Sequence, residues 1–148
     1  MPSVCFVDTN VFLYAKDPTT PGKRERAIEW IEVLSASHSV VISPQVLNEF
    51  AHNVIKKLKH VGPDLLREYL ESMLPWCTAP LVAATSLGGL AIHRRFKFSL
   101  YDSVLVASAI ASGCDLFLSE DLGDRQRIER MRIVNPFNAN PLLYLEER

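Results

Sequence analysis

The order of elements along this chain predicts an α/β fold with a mostly parallel central sheet covered by helices on both faces. Runs of strand length, Val4–Val7, Ser39–Ile42, Leu116–Leu118 and Ile133–Val134, alternate with longer stretches whose apolar residues recur at helical spacing. Two of these runs end in acids, Asp8 and Asp121, and folds of this kind place their sites at the carboxyl ends of strands. There is no internal repeat, low-complexity tract or linker. The 148 residues suffice for one sizeable core, so residues 1–148 are expected to form one domain.

Val4 to Val7 is a continuous apolar run, as a strand buried on both faces requires, and Asp8-Thr9-Asn10 turns the chain. Val11 to Ala15 begins a helix. Asp17-Pro18-Thr19-Thr20-Pro21-Gly22 is a loop by composition, and Lys23 to Ser37 returns to helical spacing through Ala27, Ile28, Ile31 and Leu34. After the strand Ser39–Ile42, Ser43-Pro44 joins an N-cap residue to a proline at the first helical position, opening a helix to about His60. Gly62-Pro63-Asp64 stops it and starts another, striped by Leu65, Leu66, Tyr69, Leu70 and Met73. Trp76 to Thr78 is expected as a further strand. Thr85 to Phe96 is helical despite Gly88 and Gly89, and Ser99-Leu100-Tyr101-Asp102 caps the apolar helix Val104 to Ala111, which Gly113 ends. Asp121 to Met131 is expected as a loop and short helix before the last strand.

Composition narrows the class. Hydrophobic residues make up 48% and charged residues 22%, outside the regime of disordered chains. With 16 basic and 17 acidic residues the net charge is -1, so any nucleic-acid binding must come from local patches. Cys5, Cys77 and Cys114 form no paired framework, which suits buried thiols in a reducing cytoplasm. The amino terminus, Met1 to Val7, has no basic region or long apolar segment and is not expected to be a secretory signal. Ser72 to Ile92 is uncharged and long enough to span a bilayer, but Pro75, Pro80, Thr78, Thr85, Ser86 and the glycine pair argue against membrane insertion.

Four acids are the candidates for chemistry. Asp8 should emerge at the sheet edge, although an Asp there also caps a following helix. Thr9 and Asn10 either orient it or make turn hydrogen bonds. Glu49 shares a helical face with Asn53, Lys56 and His60, opposite Leu47, Phe50, Val54 and Leu58, so periodicity assigns it to solvent and only a site would draw it inward. Asp102 opens an apolar helix, where the helix dipole favours a negative charge with or without catalysis. Asp121 ends a strand run through Ser119, with Asp124 three residues on as a possible fifth acid. Gathered carboxylates raise one another's pKa, and a divalent cation supplies the missing charge. An oxygen-only cluster suits magnesium or manganese better than zinc, and a second ion is possible. Lys56, Lys57 and Lys59, Arg94, Arg95 and Lys97, and Arg125, Arg127 and Arg130 are candidate patches for a polyanion or ordinary solvated faces. His38, His52, His60 and His93 have no zinc-ligand spacing.

The ordered set Phe6-Val7-Asp8-Thr9-Asn10, Gln45-Val46-Leu47-Asn48-Glu49-Phe50, Tyr101-Asp102-Ser103 and Leu118-Ser119-Glu120-Asp121 resembles the PIN-domain nucleases over nearly the whole chain. More narrowly it resembles the VapC-type toxins of bacterial toxin-antitoxin pairs, one branch of which shares the ending Arg132-Ile133-Val134-Asn135-Pro136-Phe137. The resemblance implies a three-layer α/β/α domain in which Asp8, Glu49, Asp102 and Asp121 bind Mg2+ or Mn2+ for RNA hydrolysis. It also implies a homodimer and a cognate antitoxin. Ser119 stands where many relatives carry threonine, and the hydroxyl is retained.

Two other readings compete. An aspartate-nucleophile phosphohydrolase also places Asp at the end of its first strand, but such haloacid-dehalogenase-like enzymes carry a second Asp two residues later, where this chain has Asn10. A non-catalytic RNA- or partner-binding module would keep the fold while the acids serve structural roles.

Overall fold

The structure is a computed structural model that describes residues 3–146. Met1 and Pro2, part of the amino-terminal segment read above, lie outside the described residues, as do the last two. The described chain runs β1 (Cys5–Val7), α1 (Thr9–Lys16), α2 (Pro21–Ala36), β2 (Val40–Val41), α3 (Pro44–Lys57), α4 (Pro63–Met73), a 3-10 turn (Leu74–Trp76), α5 (Ala83–Phe96) and α6 (Leu100–Ala111). It continues through β3 (Leu116–Leu118), β4 (Arg127–Ile128), β5 (Met131–Val134), a second 3-10 turn (Pro136–Asn138) and α7 (Pro141–Glu146).

The sheet has five strands in the order β2-β1-β3-β5-β4. All pairs are parallel except β4 with β5. Because crossovers between parallel strands are right-handed, the path outward from β1 to β2 and the return from β2 to β3 lay their helices on opposite faces. The expected α/β architecture, with a mostly parallel sheet between helices, is the observed one. Cys5, Phe6 and Val7 and Leu116, Phe117 and Leu118 are all inaccessible to solvent, as strands covered on both faces must be. Phe6 sits opposite Phe117 in register and their rings stack at 5.2 Å.

The strand order reverses direction beside β1: the chain leaves β1 for β2 on one side and comes back to β3 on the other. That reversal opens a crevice at the carboxyl ends of β1 and β3, the position at which open α/β sheets bind ligands. Asp8 and Ser119 are the residues that leave those two strand ends.

α5 and α6 form the most extensively packed helix pair, and a glycine explains the close approach. A Cβ placed on Gly89 would lie 2.6 Å from Val104 Cγ2 and 2.9 Å from Val104 Cα. The two glycines therefore do not break α5; Gly89 lets the backbone of α6 approach. Thr85 closes the first turn of α5, its Oγ1 accepting from Val82 N at 2.9 Å and donating to Val82 O at 2.7 Å.

Some local expectations fail for identifiable reasons. Trp76 to Thr78 is not a strand: Pro75 coils the chain into a 3-10 turn, leaving a single parallel bridge between Ile42 and Cys77. Asp121 to Met131 contains no helix but the β4–β5 hairpin, in which Ile128 pairs with Met131. Two apolar residues three apart satisfy helical spacing and equally close a two-residue turn. Ser43 precedes Pro44 at the start of α3 as expected but makes no capping hydrogen bond; its hydroxyl is buried without a partner. α3 ends at Lys57 rather than near His60. Among the described residues no helix is long and apolar enough to cross a membrane.

Candidate active site

Asp8 follows the middle strand and is 4% exposed. Its backbone N–H donates to Leu118 O at 3.0 Å, continuing the β1–β3 ladder by one residue. Its Oδ1 accepts from Thr9 N at 2.7 Å, so the acid does cap α1. Its Oδ2 accepts from Ser119 Oγ at 2.8 Å, across the crevice. Burial, with the charges of Asp102 and Glu49 adding to it, pushes the Asp8 carboxyl up from 3.8 to about 7, against the lowering effect of its two hydrogen bonds. Capping and placement in the acidic crevice are thus two uses of one carboxylate.

Glu49 corrects the periodicity reading, which assigned it to solvent. α3 begins where β2 ends, so its first two turns lie over the rim of the sheet. Thr9 Oγ1 donates to Glu49 Oε2 at 2.9 Å, and Gln45 Nε2 lies 3.5 Å from Oε1. Glu49 is half-buried, and that burial, assisted by the charge of Asp102, raises its pKa. Its supposed solvent face divides: Asn53 is half-buried and donates to Glu49 O at 2.9 Å, while Lys56 and His60 are exposed. Gln45 is the residue that sequence reasoning missed. Four residues before Glu49, it also donates to Tyr101 O at 2.9 Å and so ties α3 to the start of α6. The i, i+4 spacing was its available signal.

Asp102 lies in the first turn of α6, and its backbone N–H donates to Ser99 Oγ at 3.1 Å, the expected cap. Partial burial raises its pKa, opposed by a hydrogen bond from Ser99 and reinforced by the charge of Asp121. Asp121 is exposed, with its carboxylate accepting from the Asn10 amide and its N–H donating to Ser119 Oγ at 3.2 Å. Ser119 thus links Asp8 to the Asp121 turn through one hydroxyl. Asp124, the possible fifth acid, has its Oδ1 accepting from Asn135 N at 2.8 Å, which fastens the loop to the end of the last strand.

The acids therefore form an electrostatically coupled chain, Glu49 and Asp8 each feeling Asp102, and Asp102 feeling Asp121. The donor chemistry is oxygen only, which fits a hard divalent cation. Among the described residues, no group of three acid, histidine or cysteine side chains already stands in a geometry that would hold an ion. Asp8, Glu49 and Asp121 instead each direct an oxygen to a hydroxyl or amide.

A groove of about 750 Å³ adjoins Glu49, lined by Asn48, His52, Asn53, Leu81, Leu100 and Tyr101 among others. Only residues 97–99 connect α5 to α6, so Arg94, Arg95 and Lys97 lie at the end of the helix pair that carries Asp102. Lys56 and Lys57 are two turns along α3 from Glu49, about 10 Å at the helical rise. Arg125, Arg127 and Arg130 are exposed on and around the hairpin. His93 is satisfied locally, its Nδ1 2.6 Å from Phe98 O.

Comparison with known structures finds the same fold. The chain is similar to the VapBC2 complex of Rickettsia felis bound to a promoter DNA fragment, at TM-score 0.61 and 17% identity, covering 88% of this chain and 96% of the other. It is also similar to a toxin-antitoxin complex from Klebsiella pneumoniae, at TM-score 0.63 and 18% identity, covering 90% of this chain and 98% of the other. A search of curated proteins finds no match. The family model of the PIN domain matches residues 5–130. That match takes in all four acids and β1 through β4, and the chain belongs to the PIN domain family.

Proposed function

We propose that this PIN domain is a metal-dependent endoribonuclease whose Asp8, Glu49, Asp102 and Asp121 hold Mg2+ or Mn2+, and that it acts in the cytoplasm as the toxin of a toxin-antitoxin pair. The observation that carries this reading is the state of Asp8: a carboxyl 4% exposed at the sheet's switch point, pushed to about 7 by burial and by neighbouring acids. A carboxylate in that position gains most from a cation. The chemistry a bound cation supplies is activation of water and neutralisation of charge developing at phosphorus.

The chain's own residues divide the remaining work. Ser119 and Thr9 orient Asp8 and Glu49, and Asn10 orients Asp121. Arg94, Arg95 and Lys97 offset the repulsion between an acidic crevice and the RNA backbone. Similarity to two toxin-antitoxin complexes supports an antitoxin partner. Large apolar side chains stand open to solvent on α5 and α6, Leu87 72% and Tyr101 70% exposed, and this supports a homodimer. Light scattering of the purified protein checks that assembly.

The purified protein is expected to cut RNA with Mg2+ or Mn2+ and to stop on chelation. Asp8→Asn should be inactive while still folded. Equal cleavage by Asp8→Asn, or undiminished cleavage in chelator, overturns the assignment. Sequencing RNA ends after brief induced expression then identifies the substrate.

A further inference from the structure

We propose that Lys23 is a positioning residue for the acidic site, acting through Glu120 to set the turn that carries Ser119 and Asp121; this rests on the nuclease reading. Lys23 stands in the first turn of α2, where the positive end of the helix dipole disfavours a cation. Its placement there calls for a counter-charge, and the Glu120 carboxylate accepts from its Nζ. The same ammonium lies 3.3 Å from the Tyr14 hydroxyl, 4.8 Å from the Tyr14 ring centroid and 5.2 Å from that of Phe137. Tyr14 and Phe137 meet edge to face at 5.1 Å, forming an aromatic wall behind the pair.

That wall is itself anchored. Asn135 Oδ1 accepts from Phe137 N at 2.9 Å, and Trp30 Nε1 donates to Pro136 O at 2.8 Å, fastening the segment to α2. The Asn135-Pro136-Phe137 ending, which has no part in the acid cluster, thus gains a role as the backing of the Lys23–Glu120 clasp.

Glu120 sits between the two residues that matter. On one side, Ser119 Oγ donates to Asp8 and accepts from Asp121 N; on the other, Asp121 accepts from Asn10. The turn is therefore held from inside the crevice by Ser119 and from outside by Lys23. Ser119 stays tied to the sheet through its N–H on Val134 O at 3.0 Å, so releasing the outer grip frees the exposed Asp121 end of the turn to drift from Asp8. Neither Lys23 nor Glu120 needs to touch a cation or RNA for this.

The test is Mn2+ affinity, read by the electron paramagnetic resonance signal of free Mn2+, on wild type, Lys23→Met, Glu120→Gln, the double variant and Lys23→Arg. Loss of a contact made directly to a metal ligand commonly weakens binding about 10- to 100-fold; Lys23 and Glu120 act one step further out, so each single variant is expected near the lower end, about tenfold. The double variant should bind no more weakly than the weaker single, because both remove one clasp. Lys23→Arg should recover most of the affinity, and metal-free melting temperatures should barely move. Wild-type affinity in both single variants, or losses that add in the double, overturns the proposal. If Lys23→Met does not fold, Lys23→Gln asks the same question with the same overturning result. Asp8→Asn separates the two readings: Mn2+ bound by wild type and lost in Asp8→Asn but kept in Lys23→Met sinks only the clasp. Mn2+ binding that ignores Asp8→Asn sinks both.

Discussion

The strand-borne and helix-borne acids of the crevice are held in different ways. Asp8 extends a ladder between two fully covered strands, and each of its oxygens has a partner supplied by those strand ends. Glu49 stands in the second turn of α3 and Asp102 in the first turn of α6, both half-buried, and their positions depend on how α3 and α6 pack. The sheet therefore fixes one acid against a large desolvation cost, while the helices bring others to it at a smaller one. The proposed cation cradle thus combines one sheet-held acid with helix-borne neighbours, and each half can be perturbed separately.

The largest effect is expected at the strand-borne acid. Asp8→Asn should lower cleavage by more than the ~100-fold typical of supporting residues, because a direct ligand is lost. In the metal-free protein the same change has the opposite sense. The Asp8 carboxyl titrates at 3.8 when exposed and about 7 when folded, so the folded state holds the proton more tightly. Its contribution to stability is fully present below 3.8 and is lost as pH rises through about 7. At about 1.4 kcal/mol per pKa unit, the loss is on the order of 4 kcal/mol at most. Chemical denaturation across pH 4 to 8 should show Asp8→Asn removing much of that slope and becoming the more stable protein at pH 8. A steeper slope in the variant would break the comparison.

The cation should feel the same proton. A cation must displace it below about pH 7, so Mn2+ affinity should fall about tenfold per pH unit there and level off above. A flat affinity between pH 5.5 and 7 would mean that Asp8 is already ionised and that the buried acid is not the proton-linked one.

The helical half is most exposed to damage through Gly89. Any side chain at that position meets the backbone of Val104, two residues beyond Asp102. Gly89→Ala should cost about 1 to 3 kcal/mol, the usual range for overpacking, despite alanine's better helix propensity. Urea denaturation measures it. A stabilised variant would show that α6, and Asp102 with it, can shift freely.

These perturbations also separate what the sequence could say from what it could not. The strand-end position of Asp8 was legible because a strand end is a local feature, an apolar run and then an acid; Asp121 was read as a strand end too, but β3 stops at Leu118 and Asp121 stands three residues on in the exposed turn. The α/β alternation was legible for the same reason. Glu49 was misassigned by its own helix, because periodicity describes one face per helix and cannot see that α3's first turns overhang the sheet while its last do not. Gln45, which ties α3 to α6, acts on a residue 56 positions away. The Lys23–Glu120 pair spans 97 positions. Long-range partners leave no periodic trace in one sequence. The β4–β5 hairpin was missed through degeneracy, since Ile128 and Met131 fit a helix and a tight turn alike.

A smaller effect is expected where the two halves touch. Thr9→Val keeps the shape of the side chain but removes the hydroxyl that donates to Glu49 and holds down its pKa. Glu49 should then protonate more readily and bind Mn2+ more weakly, about tenfold by analogy with other supporting contacts, with little change in melting temperature. Unchanged affinity would make Thr9 a packing residue only.

The smallest change tests whether Asp102 is held by its helix alone. Ser99 Oγ accepts from Asp102 N at 3.1 Å, and replacing such a cap by alanine usually costs about 1 kcal/mol. Ser99→Ala should show that loss in urea denaturation. Because a hydrogen bond from Ser99 also opposes the rise in the Asp102 pKa, the variant's Asp102 should titrate higher than in wild type, observable by carboxyl NMR. If stability falls and the Asp102 titration does not move, Ser99 caps α6 without tuning its acid. The helical half of the site would then be set by packing and not by local hydrogen bonds, unlike Asp8, where Ser119 opposes the effect of burial on the carboxylate directly.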